Sequence, residues 1–167
     1  MKTRNIIAAV AAALIIGGAA AVEAQVRMPM GGPGIVMSGS QNYSSLPKSA
    51  RSFIEKHFKG ITVTKCEQYF AKNKYEVELA NGVDIDFDNA GKVIEIDAPD
   101  NNVLPKTVVK DVLSGKAYKR LEKDGLAGNV ESIELDSRKK NIEVEISIPD
   151  PDTYVFGIDG TFIALTD

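Results

Sequence analysis

The chain has 167 residues, with 20 basic and 23 acidic side chains and a net charge of −3. That balance excludes nucleic acid as a partner, because phosphate binding needs a basic patch, and the length suits one domain or two small related ones. Cys66 and His57 are the single cysteine and the single histidine, so no internal disulfide can form and no nucleophile–base pair is in view.

Lys2 and Arg4 precede an apolar run from Ile6 to Ile16, followed by small residues and Val22-Glu23-Ala24. A basic start, a short apolar stretch and an A-x-A-like site predict a secretory signal over 1–24, cleaved after Ala24. The run is too short to span a bilayer, so no membrane span is expected after cleavage, and the expected location is periplasmic or secreted. Residues 25–45 have no apolar period and are rich in Gly, Ser and Pro, which predicts a flexible leader. Met28, Met30 and Met37 offer thioethers of the kind Cu(I) prefers, but a plain linker is the better reading of that segment, and no cofactor is expected.

Past the leader the chain repeats itself. Leu46-Pro47-Lys48 returns as Leu104-Pro105-Lys106, Tyr75–Leu79 (YEVEL) as Ile142–Ile146 (IEVEI), and Phe87-Asp88 with Gly91 as Ile158-Asp159-Gly160. This predicts two diverged units, 46–100 and 101–167. Two copies are too few for a solenoid and are expected to join in one sheet. Each opens with a helix. In the first, Pro47 suits the first turn, Ser45 is the candidate cap, and Ala50, Phe53, Ile54 and Phe58 fall on one face before Gly60. In the second, Val108, Val109, Val112 and Leu113 form the stripe, and Tyr118 and Leu121 prolong the helix or begin another after Gly115. His57, at the edge of the first stripe, reads as structural.

The remainder of each unit alternates with period two. Strands are expected near 61–70, 73–80, 83–88 and 92–97, and again near 129–137, 140–148, 153–158 and 161–166. Asn81-Gly82 is a two-residue hairpin signal, and Asp88–Gly91 a turn ending in a left-handed glycine. The stretch NGVDIDFDNAGKVIE also places Asp84, Asp86, Asp88 and Glu95 at the first, third, fifth and twelfth positions of an EF-hand-like calcium loop. Its sixth position, however, is Asn89 where such loops carry glycine, and strands rather than helices flank it. Val83, Ile85 and Phe87 alternate with the aspartates, so the hairpin is preferred, with Asp84 and Asp86 turned to solvent.

Parity extends the argument. With Tyr75, Val77, Leu79, Ile94 and Ile96 facing a core, Lys74, Glu76, Glu78, Glu95 and Asp97 face the other way, and Glu134, Asp136, Glu143 and Glu145 follow in the second unit. An open face studded with carboxylates either keeps the protein soluble or selects a basic or mixed-charge partner. The candidate protein-binding residues are therefore Glu76, Glu78, Asp84, Asp86, Glu95, Asp97, Glu143 and Glu145.

The run LPKSARSFIEKHFKGITVTKCEQYF…KYEVELANGVDIDFDNAGKVIEID resembles the PepSY-like family of β-lactamase-inhibitor-like secreted proteins. The likeness covers nearly all of 46–100 and, more loosely, 104–167, where the Phe-x-Gly step is missing and extra residues surround Gly115–Gly128. The resemblance implies an α+β protein whose helix-plus-four-strand units build one antiparallel sheet with helices on one face. It implies a role in binding or inhibiting proteins, and it offers no catalytic residues. The expected function is a non-enzymatic exported module that docks a protein or peptide of the cell envelope on its open acidic face. The alternative is a divalent-cation protein that binds or buffers calcium.

Overall fold

The structure is a computed structural model that describes residues 43–147 and 152–166. The signal segment, most of the leader with its three methionines, and 148–151 lie outside those residues. The described ones all belong to one compact unit.

Eight strands form one antiparallel sheet in which spatial order follows chain order: β1 (Val63–Tyr69), β2 (Lys74–Leu79), β3 (Asp84–Asp88), β4 (Val93–Asp97), β5 (Val130–Asp136), β6 (Asn141–Ile146), β7 (Asp152–Gly157) and β8 (Phe162–Thr166). Helix α1 (Lys48–His57) precedes β1. Helices α2 (Lys106–Val112) and α3 (Gly115–Lys123) stand between β4 and β5. This is the α+β fold expected from the sequence, with every strand where period-two alternation put it.

Apolar residues at alternate strand positions create the core. Val77 and Leu79, Val83, Ile85 and Phe87, Ile133, Val144 and Phe156 are buried on one face, in one cluster with Ala50 and Ile54 of α1, Val108 and Val109 of α2, and Ala117 and Leu121 of α3. The helices cover that face. Phe53 of α1 meets Phe87 edge-on at 6.0 Å between ring centroids, and the Arg120 guanidinium of α3 lies 4.2 Å from the Phe162 centroid. Aromatic edges and cation–π contacts of this kind add to the area term.

Pro47 itself occupies the N-cap position of α1, and Ser45 instead closes a short 3-10 turn. Pro105 stands equivalently before α2. The chain leaves α2 at Leu113 in extended conformation and restarts as α3, with the Ser114 hydroxyl accepting from the Ala117 amide at 3.3 Å. The tyrosine and leucine after Gly115 thus belong to a new helix.

Four bulges break strict alternation, one extra residue each: Thr64 against β2, Ile94 against β3, Glu131 against β6 and Ile163 against β7. They correct the sequence reading of β4. Because Asp86 faces Glu95 while Phe87 faces Val93, Val93 packs on the core and Ile94 does not. An extra residue in one strand resets its parity. The buried counterpart of Phe87 is also corrected. It is Phe156, opposite Phe162 as Phe87 is opposite Val93, whereas Ile158 is 51 % exposed.

Two glycines tie hairpins to helices. Gly91 (φ +78°) turns β3 into β4, and a Cβ there would lie 2.8 Å from the Ala50 amide of α1. Gly160 (φ +80°) turns β7 into β8, and its Cβ would lie 3.0 Å from the Ala117 amide of α3. Only glycine accepts both the left-handed backbone and the close approach.

An acidic row across the open face

Register decides which carboxylates meet. Across the face opposite the helices, cross-strand partners run Glu67–Glu76–Asp86–Glu95–Glu134–Glu143, one from each of β1 to β6. At a strand spacing of about 4.8 Å this row is on the order of 24 Å long. It ends at β6, since the next partners are Val155 and Ala164. A parallel row runs Lys65–Glu78–Asp84–Asp97–Ser132–Glu145–Thr153–Thr166. All eight sequence candidates lie in these two rows. Five of them, Glu76, Asp84, Asp86, Glu95 and Asp97, line one shallow depression with Lys74, while Glu78, Glu143 and Glu145 lie outside it.

Like charges on adjacent strands repel, and the β1–β3 side of the rows carries counter-ions. Lys65 Nζ lies 2.6 Å from Glu76 Oε1 and 2.9 Å from Glu78 Oε1. Those two hydrogen bonds hold its ammonium well above the usual lysine range. Lys74 donates to Asp86. Burial works against the charge of Lys74, but Asp86, with Glu76 and Glu95 beyond it, raises its pKa nonetheless. Asp86 is consequently not the solvent-facing aspartate that alternation suggested. It is 7 % exposed while Asp84 is exposed, because it sits mid-row with Lys74 over it and strands on both sides.

Glu95 occupies the crowded position. Desolvation first, then the charges of Asp97, Asp86 and Glu134, push its carboxyl up to about 7, and a hydrogen bond with Asp86 adds to the shift. A proton on Glu95 removes one negative charge from the middle of the row. Farther along, Glu143 receives Lys139 at 3.1 Å. Among the described residues, Glu134 and Glu145 form no ion pair.

The calcium-loop spacing takes on a different geometry. Asp88 Oδ1 accepts the turn amides of Ala90 at 2.9 Å and Lys92 at 2.8 Å, so it closes the hairpin instead of converging with Asp84, Asp86 and Glu95. Among the described residues, no group of three or more His, Cys, Asp or Glu side chains is placed to hold a metal ion. Asp136 repeats the Asp88 arrangement, accepting Arg138 and Lys139 amides at 2.9 and 3.0 Å. His57 packs on Phe53 and pairs through Nε2 with Asp111 at 2.8 Å, which Lys56 also reaches at 2.8 Å, joining α1 to α2.

Sequence reasoning missed Glu67 as a member of the row and Lys65 as its counter-ion. Both were legible as outward positions of β1 once the bulge at Thr64 is allowed for. The meeting of Glu95 with Glu134 was not legible, since nothing in the sequence states that β4 neighbours β5.

Comparison with known proteins agrees with this architecture. No curated protein matches the chain. A solved structure from Bacteroides vulgatus, described as a "putative periplasmic protein of unknown function", shares 25 % identity over 76 % of this chain and 96 % of its own, with a TM-score of 0.59. A "putative calcium-regulated periplasmic protein" from Bacteroides thetaiotaomicron shares the fold at 24 % identity, over 76 % of this chain and 94 % of its own, with a TM-score of 0.60. A further Bacteroides vulgatus structure, again described as a "putative periplasmic protein", does so at 22 % identity, over 76 % and 94 % of the two chains, with a TM-score of 0.59. Among the described residues no helix is long and apolar enough to cross a membrane. The location is periplasmic or secreted, as expected. The family model described as "Putative beta-lactamase-inhibitor-like, PepSY-like" matches residues 39–95 and 73–155, and the chain belongs to that PepSY-like family.

Proposed function

We propose that this chain is a non-enzymatic exported binding module whose open sheet face docks a basic protein or peptide segment of the cell envelope. The observation that carries the reading is the six-carboxylate row from Glu67 to Glu143. Its first half is compensated by Lys65 and Lys74, and its second half offers Glu95 and Glu134, with Glu145 beside them in the parallel row. A partner that brings cations to that second half relieves repulsion already present in the folded sheet, which favours association and rejects acidic competitors. His57 is occupied in joining two helices, which supports a binding role over a catalytic one. We read 46–100 and 101–167 as two diverged units, a reading supported by the paired bulges and by the two helix-tied glycines.

The test is capture from envelope extract by the wild type and by a variant carrying Glu95→Gln, Glu134→Gln and Glu145→Gln. The expected result is a partner retained at low salt, released at high salt and lost in the variant. An unchanged set of partners removes the acidic face from the function.

A second reading, calcium drawn to the depression that Glu76, Asp84, Asp86, Glu95 and Asp97 line, is favoured by the carboxylates gathered there and requires them to move, since among the described residues no three of them converge on an ion. Calorimetry with calcium separates the two. The absence of heat and of any change in melting temperature at millimolar calcium removes this second reading.

A further inference from the structure

A cleft of about 320 Å³ opens on the helix side of the sheet, between α1, α2 and the β3–β4 hairpin. Phe53, Val93 and Val112 form its apolar part and stay only partly buried although they pack on the core. The bulge at Ile94 is what turns Val93 toward it, since an extra residue re-aims its neighbours. Ser49, Ser52, Lys56, Lys92 and Asp111 supply the polar part. Asp111 is already met by Lys56 Nζ and His57 Nε2, each at 2.8 Å, whereas Lys92 is exposed and among the described residues forms no ion pair.

The other joint between a hairpin and a helix shows how this space could have been filled. Gly91 seats on Ala50 of α1 and Gly160 on Ala117 of α3, and the residues four places on, Ile54 and Leu121, are both fully buried. On that register Phe53 corresponds to Arg120, and Ser49 and Ser52 to Lys116 and Lys119. Val93 corresponds to Phe162, each opposite a buried phenylalanine, and Lys92 to Thr161. In the second joint the Arg120 guanidinium lies on the Phe162 ring. In the first, the smaller Ser49, Ser52 and Val93 leave room, and the hairpin contributes a cation where the second has a hydroxyl.

We propose that this cleft binds a small organic anion, an acid group carried on an apolar body about the size of one aromatic ring and a short chain. Volume sets the size. A cavity of about 150 Å³ holds benzene, and sites for small molecules begin at about 300 Å³. The lining sets the chemistry, because Phe53, Val93 and Val112 offer hydrocarbon that such a body removes from water. Charge sets the sign. With Asp111 matched by its own two partners, Lys92 is the cation left over, and the Ser52 hydroxyl adds a donor. A cationic ligand would meet Lys56 and Lys92 with no carboxylate left to receive it. The cleft lies on the side of the sheet opposite the carboxylate rows, so it is independent of the docking face.

Phenylpropionate, phenylpropanol and phenylpropylamine carry one body under three head groups, and NMR titration of each into the isotope-labelled chain tests the inference. The expected result is saturable shifts of the Ser52, Phe53, Lys92 and Val112 amides with the acid, which binds about ten-fold more tightly than the alcohol, and none with the amine. Lys92→Thr, which installs the residue of the second joint, is expected to bring the acid down to the alcohol's affinity. Val93→Phe, likewise borrowed from the second joint, is expected to abolish binding of both by filling the cleft. Should Val93→Phe fail to fold, the exposed Lys92→Thr change decides. No saturable shift at those amides with millimolar acid overturns the proposal, as does equal binding of acid and alcohol, tighter binding of the amine, or acid binding that Lys92→Thr leaves unchanged.

Discussion

Lys74 places its ammonium on the carboxylate of Asp86, diagonally across the β2–β3 ladder in which Lys74 is directly opposite Asp88 and Asp86 opposite Glu76. The side chains are 18 % and 9 % exposed, so this pair lies between a surface ion pair and a buried one. Removing one partner of a fully buried pair costs roughly 3–5 kcal/mol, because the other charge stays behind. With partial exposure, Lys74→Met is expected to cost about 2 kcal/mol, and Lys74→Met with Asp86→Asn distinctly less than the sum of the two single changes. Denaturant melts of the four-member cycle measure this.

The elevated pKa of Glu95 makes a pH prediction of a definite sign. Its carboxyl is raised from about 4.5 in the unfolded chain to about 7 when folded. A group raised on folding contributes stability that is complete below its unfolded value and is lost as pH rises through its folded value. The melting temperature is therefore expected to fall between pH 5 and pH 8, and Glu95→Gln to flatten that slope. Asp111, lowered by its hydrogen bonds to Lys56 and then His57, acts in the opposite sense and only at more acid pH. Thermal melts of both proteins across that range give the answer, and a wild-type curve that is flat or rising refutes the crowding argument.

Three left-handed glycines separate backbone strain from steric conflict. Gly125 (φ +77°) has nothing within 4 Å of a Cβ position, so Gly125→Ala should cost only the roughly 1–2 kcal/mol of left-handed backbone. Gly91→Ala and Gly160→Ala add a collision with the Ala50 and Ala117 amides and should cost well beyond that, by lifting a hairpin from its helix. Chemical denaturation ranks the three.

Alternation along β3 is tested by truncation on its two sides. Phe87, fully buried against Phe53, should lose about 3–5 kcal/mol as Phe87→Ala, whereas Asp84→Asn on the exposed side should change stability by about 0.5 kcal/mol or less. Comparable losses at both positions would mean that the strand does not divide core from solvent.

Most of this fold was legible because each strand announces itself locally. Val83, Ile85 and Phe87 alternate with aspartates, Asn81-Gly82 and Asp88–Gly91 mark turns, and the α1 stripe of Ala50 and Ile54 has helical spacing. What stayed hidden depends on pairs of strands. A bulge is an excess of one strand over another, so Ile94 was assigned to the core in place of Val93. Asp86 was assigned to solvent because parity gives the side of a sheet but not the depth of cover on it. The resemblance between Leu46-Pro47-Lys48 and Leu104-Pro105-Lys106 was also incomplete. Pro105 opens α2 as Pro47 opens α1, yet the hairpin glycine Gly160 seats on α3, the helix made by the extra residues around Gly115.

The plain succession of strands, each hydrogen-bonded to the one made just before it, has a consequence for how the chain folds. Long-range pairing is what slows the assembly of most sheets, and here only the β4–β5 ladder, with its three residue pairs, requires it, while every other ladder closes over a short connection. The four amino-terminal strands can zip together without waiting for the four that follow α3.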